Sequence, residues 1–203
     1  MNTIFNLDPL LTVEDREDIL QEPVVVRVTK FDSEAVEDFE EDMSEAHNTG
    51  QPVIPVIIDS YGGSVYGCRG MVDVIEQARL PVATIVRTKA MSAGAILFSF
   101  GTEGYRFMAP DATIMIHDIA DIMDGKIEDI KEDVKHLEFL NQTMYKKMAK
   151  HLGHPEDYIL DLLRKNRHLD LYLTAKDAKK HKLANHLHTP TLEVNVSVTY
   201  KFG

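Results

Sequence analysis

The chain of 203 residues has no tryptophan and a single cysteine. No apolar run approaches the ~20 residues that a bilayer-spanning helix needs, so no membrane partner is expected. One thiol, Cys68, cannot form an internal disulfide, and nothing here asks for an oxidising compartment. With no His or Lys beside it in sequence, Cys68 reads as a small packing residue before it reads as a nucleophile. Basic residues are in deficit: 22 Lys and Arg face 33 Asp and Glu, for a net charge of −11 with the nine His neutral. A uniformly acidic protein gains nothing from releasing phosphate counterions, which excludes general nucleic-acid binding. Pro/Gly/Ser-rich linkers and internal repeats are missing too, so one domain over residues 1–203 is expected. The opening MNTIFNLDPLLTVEDREDIL lacks a basic start and carries early acids, which fits neither a signal nor a transit peptide; a cytoplasmic location follows as the expectation.

What is present is an ordinary globular balance, 44% hydrophobic and 27% charged. Short β-branched runs at Val24 to Val28, Val53 to Ile58, Val82 to Val86 and Thr113 to Ile116 read as buried strands. Amphipathic stretches lie between them: one after Asp32 or Ser33 as N-cap with Val36, Phe39, Met43 and Ala46, one from about Val65 to Arg79, and one starting near Ser92. Such alternation predicts an α/β fold with a mostly parallel sheet covered by helices. Apolar residues from Ile127 to Met148 recur at helical spacing, giving a helix of some six turns to about Lys150. It is longer than a small sheet needs, so part of it is expected to protrude. A short helix follows over Asp157 to Arg164, and Thr174-Ala175-Lys176-Asp177 has capping-box spacing ahead of a basic helix. Leu192 to Tyr200 alternates apolar with polar residues, which predicts a C-terminal strand.

Three segments can carry chemistry. Asp59-Ser60-Tyr61-Gly62-Gly63-Ser64 follows a strand, and its paired glycines let backbone N–H groups approach a ligand; taken alone it is a strand-to-helix turn, and no Gly-Lys-Ser/Thr makes it a phosphate loop. Ser92 sits between a strand and an apolar helix with Gly94 at +2 and Ala90 at −2, half of the G-x-S-x-G elbow. In isolation it reads as a helix N-cap first and a nucleophile second. His117 ends the strand Thr113 to Ile116, where a sheet presents functional side chains, although a lone His there is more often structural. The remaining His residues lack ligand spacing, so no metal is expected.

In order, Gly62-Gly63, Ser92 with Gly94-Ala95, Met115-Ile116-His117 and Asp170-Leu171-Tyr172-Leu173-Thr174-Ala175 resemble the motifs S-P-G-G, A-S-M-G-A, M-I-H-Q-P and D-x-F-x-S-A of the ClpP serine peptidases of the crotonase-like superfamily. Ser92 and His117 lie 25 residues apart and His117 and Asp170 53 apart. The resemblance implies repeated ββα units with a long protruding handle helix over 126–150, whereas the N-terminal segment at 1–22 diverges from the family and the extra strand within 189–203 has no clear counterpart in it. It further implies Ser92 as nucleophile, His117 as general base and Asp170 as the acid that orients it, with the Gly63 and Ala93 amides as oxyanion hole. Substrate-lining positions fall on Gly62, Asp118 and Ile119. The implied enzyme is a serine endopeptidase acting on peptides or unfolded polypeptide without a cofactor, as a homo-oligomeric heptameric ring open to stacking as two rings and to feeding by an AAA+ unfoldase. Tyr61 stands where the family has Pro, Ala93 where it has Met, and Leu169 where it commonly has Arg.

Two other classes compete: a catalytically silent ClpP-like scaffold, and a crotonase-type acyl-CoA enzyme that would leave His117 and Asp170 unexplained. A Ser/Lys dyad using Lys89 is a minor variant, since that residue would sit on the incoming strand. Acids cluster at Glu14 to Glu22, Glu34 to Glu45 and Asp118 to Asp133, and the last cluster predicts an acidic lining that favours basic or neutral peptides.

Overall fold

The computed structural model describes residues 23–119 and 124–191. The N-terminal segment 1–22 and the C-terminal strand expected at Leu192 to Tyr200 lie outside these residues. Strands β1 (Val26–Val28), β2 (Ile54–Ser60) and β3 (Val82–Met91) pair in parallel in that order. Parallel neighbours need crossovers, supplied here by α1 (Ser33–Ala46) and α2 (Val65–Gln77). Each helix starts where a side chain satisfies a free amide: Asp32 accepts from Ala35 N–H, and Ser64 from Gly67 N–H. Phe39, Met43 and Ala46 face the core from α1, and Cys68, Met71, Val72 and Ile75 face it from α2, at the three- and four-residue spacing of an apolar stripe. With helices over the sheet, Ile54, Val56 and Ile58 of β2 are fully buried.

β3 is ten residues long and serves two partners in tandem. Its first half pairs with β4 (Arg106–Met108) at Thr84 to Val86, and its end pairs with β5 (Thr113–Ile116) at Lys89 to Met91, both in parallel. The strand continues past the β-branched run that ends at Val86, carries Lys89 as expected of the incoming strand, and delivers Ser92 directly from the sheet. β6 (Leu171–Thr174) adds antiparallel to β5, giving the order β1-β2-β3-β5-β6 with β4 off that path.

Helix α3 (Ala93–Ser99) is buried along its whole length. α4 (Ile127–His151) has 25 residues, roughly 37 Å at 1.5 Å per residue. Its C-terminal half buries Leu140, Met144, Tyr145, Met148 and Ala149, whereas Ile127 and Val134 in its N-terminal half are 72% and 42% exposed. α5 (Tyr158–Lys165) and α6 (Ala175–Lys180) complete the chain, the latter opened by a reciprocal Thr174/Asp177 capping box. Arg106 of β4 is completely buried, yet its guanidinium donates to the carbonyls of Gly101, Lys182 and Leu183 and to the Glu103 carboxylate, so the charge is satisfied. Among the described residues no helix is long and apolar enough to cross a membrane.

Candidate active site

Ser92 occupies the N-cap position of α3, but its side chain makes no capping hydrogen bond. Its backbone stands at φ 54° and ψ −119°, a left-handed conformation that costs a non-glycine residue about 1–3 kcal/mol. The surroundings hold it there: its N–H donates to the Met115 carbonyl at 2.8 Å, extending the β3–β5 ladder, and its own carbonyl accepts from Ala95 and Ile96. The result is a hydroxyl turned away from the helix, with Oγ 2.8 Å from His117 Nε2. The side chain that reads as a cap thus gives up capping to meet the imidazole.

The glycine turn packs against this serine. Gly62 has φ +105°, and a Cβ there would lie 2.8 Å from Ser92 Cβ, 3.0 Å from the Met91 carbonyl and 3.3 Å from the Ala93 nitrogen. Only hydrogen fits. Buried Ser60 fixes the turn, donating to the Thr29 carbonyl at 2.8 Å and accepting from Gly62 N–H at 3.1 Å. Among the described residues, neither the Gly63 nor the Ala93 N–H donates to a protein acceptor.

His117 stands one residue beyond β5 and Asp170 one residue before β6. Because Ile116 pairs with Leu171 across the antiparallel ladder, these two are the next rung and face each other at its end. Asp170 Oδ1 lies 4.0 Å from His117 Nδ1, beyond hydrogen-bonding range, and its side chain is 53% exposed. From α4, the Tyr145 hydroxyl donates to the His117 carbonyl and fixes that residue from behind. Burial raises the Tyr145 pKa well above the usual phenol value, which keeps it a donor.

Beside Ser92 and His117 opens a cavity of about 390 Å³, lined on its apolar side by Val65, Ile96, Ile119, Leu137 and Leu140. Tyr66 and His136 stand at its polar side, with the Tyr66 hydroxyl 2.5 Å from His136 Nε2. Cys68 also borders the cavity, but its thiol is buried, points at the Ala93 carbonyl, and is pushed up by desolvation to about 12. It packs, as its sequence context indicates. A second cavity of about 250 Å³, between β1 and α1, has mixed charges from Arg27, Lys30 and Asp38 but no nucleophile beside a base.

The structure gathers Gly62, Gly63, Ser92, Ala93, His117 and Asp170 at one place. Asp118 and Ile119 are adjacent, with their polar groups committed within the protein: Asp118 binds His168 and Asn141, and the Ile119 N–H donates to Asn141. The carboxylate at 118 is thus hydrogen-bonded within the protein, and residues 120–123 of that acidic run lie outside the described set. Lys89 is tied to Asp59 at 2.6 Å and lies over the Tyr61 ring, away from Ser92. That ion pair holds Asp59 below and Lys89 above their ordinary values. Among the described residues no group of His, Cys, Asp and Glu could hold a metal ion. Asn141, Tyr145 and His168 did not emerge from the sequence. The first two share a face of α4 at i and i+4, a polar interruption in an apolar stripe that marks them, whereas nothing in sequence marks His168.

A family model described as Clp protease matches residues 12–191. The ATP-dependent Clp protease proteolytic subunit 3 of Nocardia farcinica (strain IFM 10152) is 32% identical over 130 residues, 63% of this chain and 57% of that protein. Proteolytic subunit 1 of Bifidobacterium longum (strain NCC 2705) is 30% identical over 133 residues, 65% and 55% of the two chains. Proteolytic subunit 1 of Salinibacter ruber (strain DSM 13855 / M31) is 27% identical over 141 residues, 70% and 58%. The matched regions span a little over half the length of these relatives.

Proposed function

The chain belongs to the Clp protease family, and on that premise we propose that it is a serine endopeptidase hydrolysing peptide bonds of peptides or unfolded polypeptides with Ser92, His117 and Asp170. The observation that carries this reading is the 2.8 Å approach of Ser92 Oγ to His117 Nε2 at a strained strand-to-helix turn. A serine hydroxyl is too weak an acid to attack an amide at neutral pH. With its proton on Nδ1, His117 accepts the Ser92 proton through Nε2 as Oγ attacks the carbonyl carbon, and later returns it to the leaving amine. The Gly63 and Ala93 N–H groups are the donors available to the tetrahedral oxyanion, each acting at about 3 Å. Water then attacks the acyl-enzyme by the same proton route. Asp170 stabilises the imidazolium once it closes the 4.0 Å gap, a contraction in keeping with the long catalytic contacts of unliganded enzymes.

In this reading residues 1–203 are one peptidase domain. α4 is its handle, and the strand expected within 189–203 is an accessory element. Exposed Ile127, Phe139, Leu169 and Tyr172 offer apolar surface that supports contacts between subunits, and the family resemblance extends this reading to a cytoplasmic heptameric ring open to stacking in pairs and to feeding by an AAA+ unfoldase. The experiment is labelling with a fluorophosphonate: one adduct at Ser92 is expected, lost in Ser92→Ala and sharply reduced in His117→Ala. The open His117–Asp170 contact favours a second reading, a silent scaffold, which an assembled but unlabelled wild-type protein would establish. Native mass spectrometry tests the ring separately, and a monomer would count against chamber proteolysis.

A further inference from the structure

We propose that Asp118, Asn141 and His168 form a positioning clamp that holds the Asp170 turn in register with His117. The inference rests on the serine-peptidase reading and adds three residues that touch neither the nucleophile nor the oxyanion donors.

The clamp joins three elements through one carboxylate. Asp118 Oδ2 accepts from His168 Nδ1 at 2.6 Å, and Asp118 Oδ1 accepts from Asn141 Nδ2 at 2.7 Å. Asn141 Oδ1 in turn accepts the Ile119 N–H at 3.0 Å. The end of β5, the middle of α4 and the α5–β6 turn are therefore pinned together directly beside His117. Each Asp118 oxygen accepts one of these bonds, and among the described residues the carboxylate that pairs with His117 is Asp170, not Asp118.

The turn needs such a tie. Arg167 and His168 are consecutive non-glycine residues at φ 59°, a backbone that persists only where surrounding contacts over-determine it. Local bonds supply part of this: His168 N–H donates to the Leu163 carbonyl at 2.9 Å, and Asn166 Nδ2 to the Leu169 carbonyl at 2.9 Å. The first ties the turn to the end of α5 and the second closes the turn on itself, and neither reaches β5. The β5–β6 ladder ends at the Ile116–Leu171 rung and sets the backbone next to Asp170. The His168–Asp118 pair is the side-chain link from the turn to the residue that follows His117, and the Asp170 side chain itself has no hydrogen bond to His117 that would place it. His168 and Asp118 are 58% and 33% exposed, so the pair is solvent-screened and adds little to global stability. Its function is geometric.

The test uses the full chain in its assembled state, with peptide hydrolysis and the rate of fluorophosphonate labelling at Ser92 as readouts. Asp118→Asn and His168→Ala are expected to lower kcat and the labelling rate about ten- to hundredfold with KM little changed. Melting midpoints should stay within about 2 °C of wild type. His168→Gln, which keeps an N–H donor, is expected to recover most of the rate. In an Asp170→Ala background, His168→Ala should cost nothing further, because a residue acting through Asp170 has nothing left to position. The clamp is overturned if His168→Ala is as active as wild type, if its loss is the same with and without Asp170, or if Asp118→Asn is worse than Asp170→Ala. A wild-type protein unlabelled at Ser92 removes the peptidase reading and the clamp together, whereas a labelled wild type with an indifferent His168 removes the clamp alone.

Discussion

The contact between Gly62 and Ser92 gives the sharpest quantitative expectation. Replacing Gly62 with Ala places a Cβ 2.8 Å from Ser92 Cβ and 3.0 Å from the Met91 carbonyl, neither of them the far end of a flexible side chain. Two costs follow. An L-residue at φ +105° pays about 1–2 kcal/mol for its backbone, and forcing a methyl into a filled space adds about 1–3 kcal/mol. Gly50 separates the two, because it also has a positive φ, +78°, but nothing lies within 4 Å of its added Cβ. Gly50→Ala should therefore show only the backbone cost, and Gly62→Ala about 2–5 kcal/mol in total. The assay is denaturant unfolding at fixed protein concentration, since association couples to apparent stability. If the turn yields instead of the fold, the cost moves into catalysis: a 1 Å displacement of Ser92 Oγ from His117 is worth about a hundredfold in labelling rate. A Gly62→Ala protein no less stable than Gly50→Ala, and labelled at the wild-type rate, would refute the close approach on which the oxyanion geometry depends.

Further expectations concern groups around the site. Tyr145→Phe leaves the His117 carbonyl without its buried donor and should cost about 1–3 kcal/mol, together with a slower acylation; unchanged stability and rate would show that the hydroxyl fixes nothing. His151 and His181 are held below the ordinary 6.5, by burial first, so the unfolded chain takes up protons before the folded one does. Their contribution to stability is complete above about pH 6.5 and declines as the pH falls below it. Unfolding midpoints at pH 7.5 and 5.5 should show that decline, and His151→Phe should blunt it. Cys68, with its thiol at about 12, should resist maleimide in the folded protein at neutral pH, and modification at the rate of a free thiol would contradict its burial.

Legibility from sequence followed the physics of each element. β2 announced itself because a strand covered on both faces must be a continuous β-branched run, and α4 because 25 residues carry enough turns for a periodicity to show. β4 and β6 lack the β-branched runs that mark the equally short β1 and β5, and their pairing is decided by distant partners on β3 and β5. The β-branched run of β3 ends at Val86 because Arg87, Thr88 and Lys89 are polar, although Lys89 still reads as part of the incoming strand. These three are the solvent-reaching part of a central strand, with Lys89 neutralised by Asp59. Within the site, Ser92 and His117 were visible as residues at strand ends. The hydroxyl's direction was not, because it depends on a backbone conformation that only the Met115 ladder bond and the Gly62 turn sustain. His168 is invisible to any local pattern, since its role arises from a 50-residue separation in sequence closed by the fold.

The antiparallel attachment of β6 has a consequence in time. The parallel sheet from β1 to β5, with Ser92 and His117 in hydrogen-bonding contact, is built from residues that precede α4. Asp170 follows only after a helix of 25 residues and a further short helix have brought the chain back to the edge of β5. During synthesis the chain therefore carries Ser92 and His117 well before it carries Asp170. A chain that ends before β6 would hold the serine and the imidazole without the carboxylate, so truncation at that point separates the two halves of the constellation with a single cut.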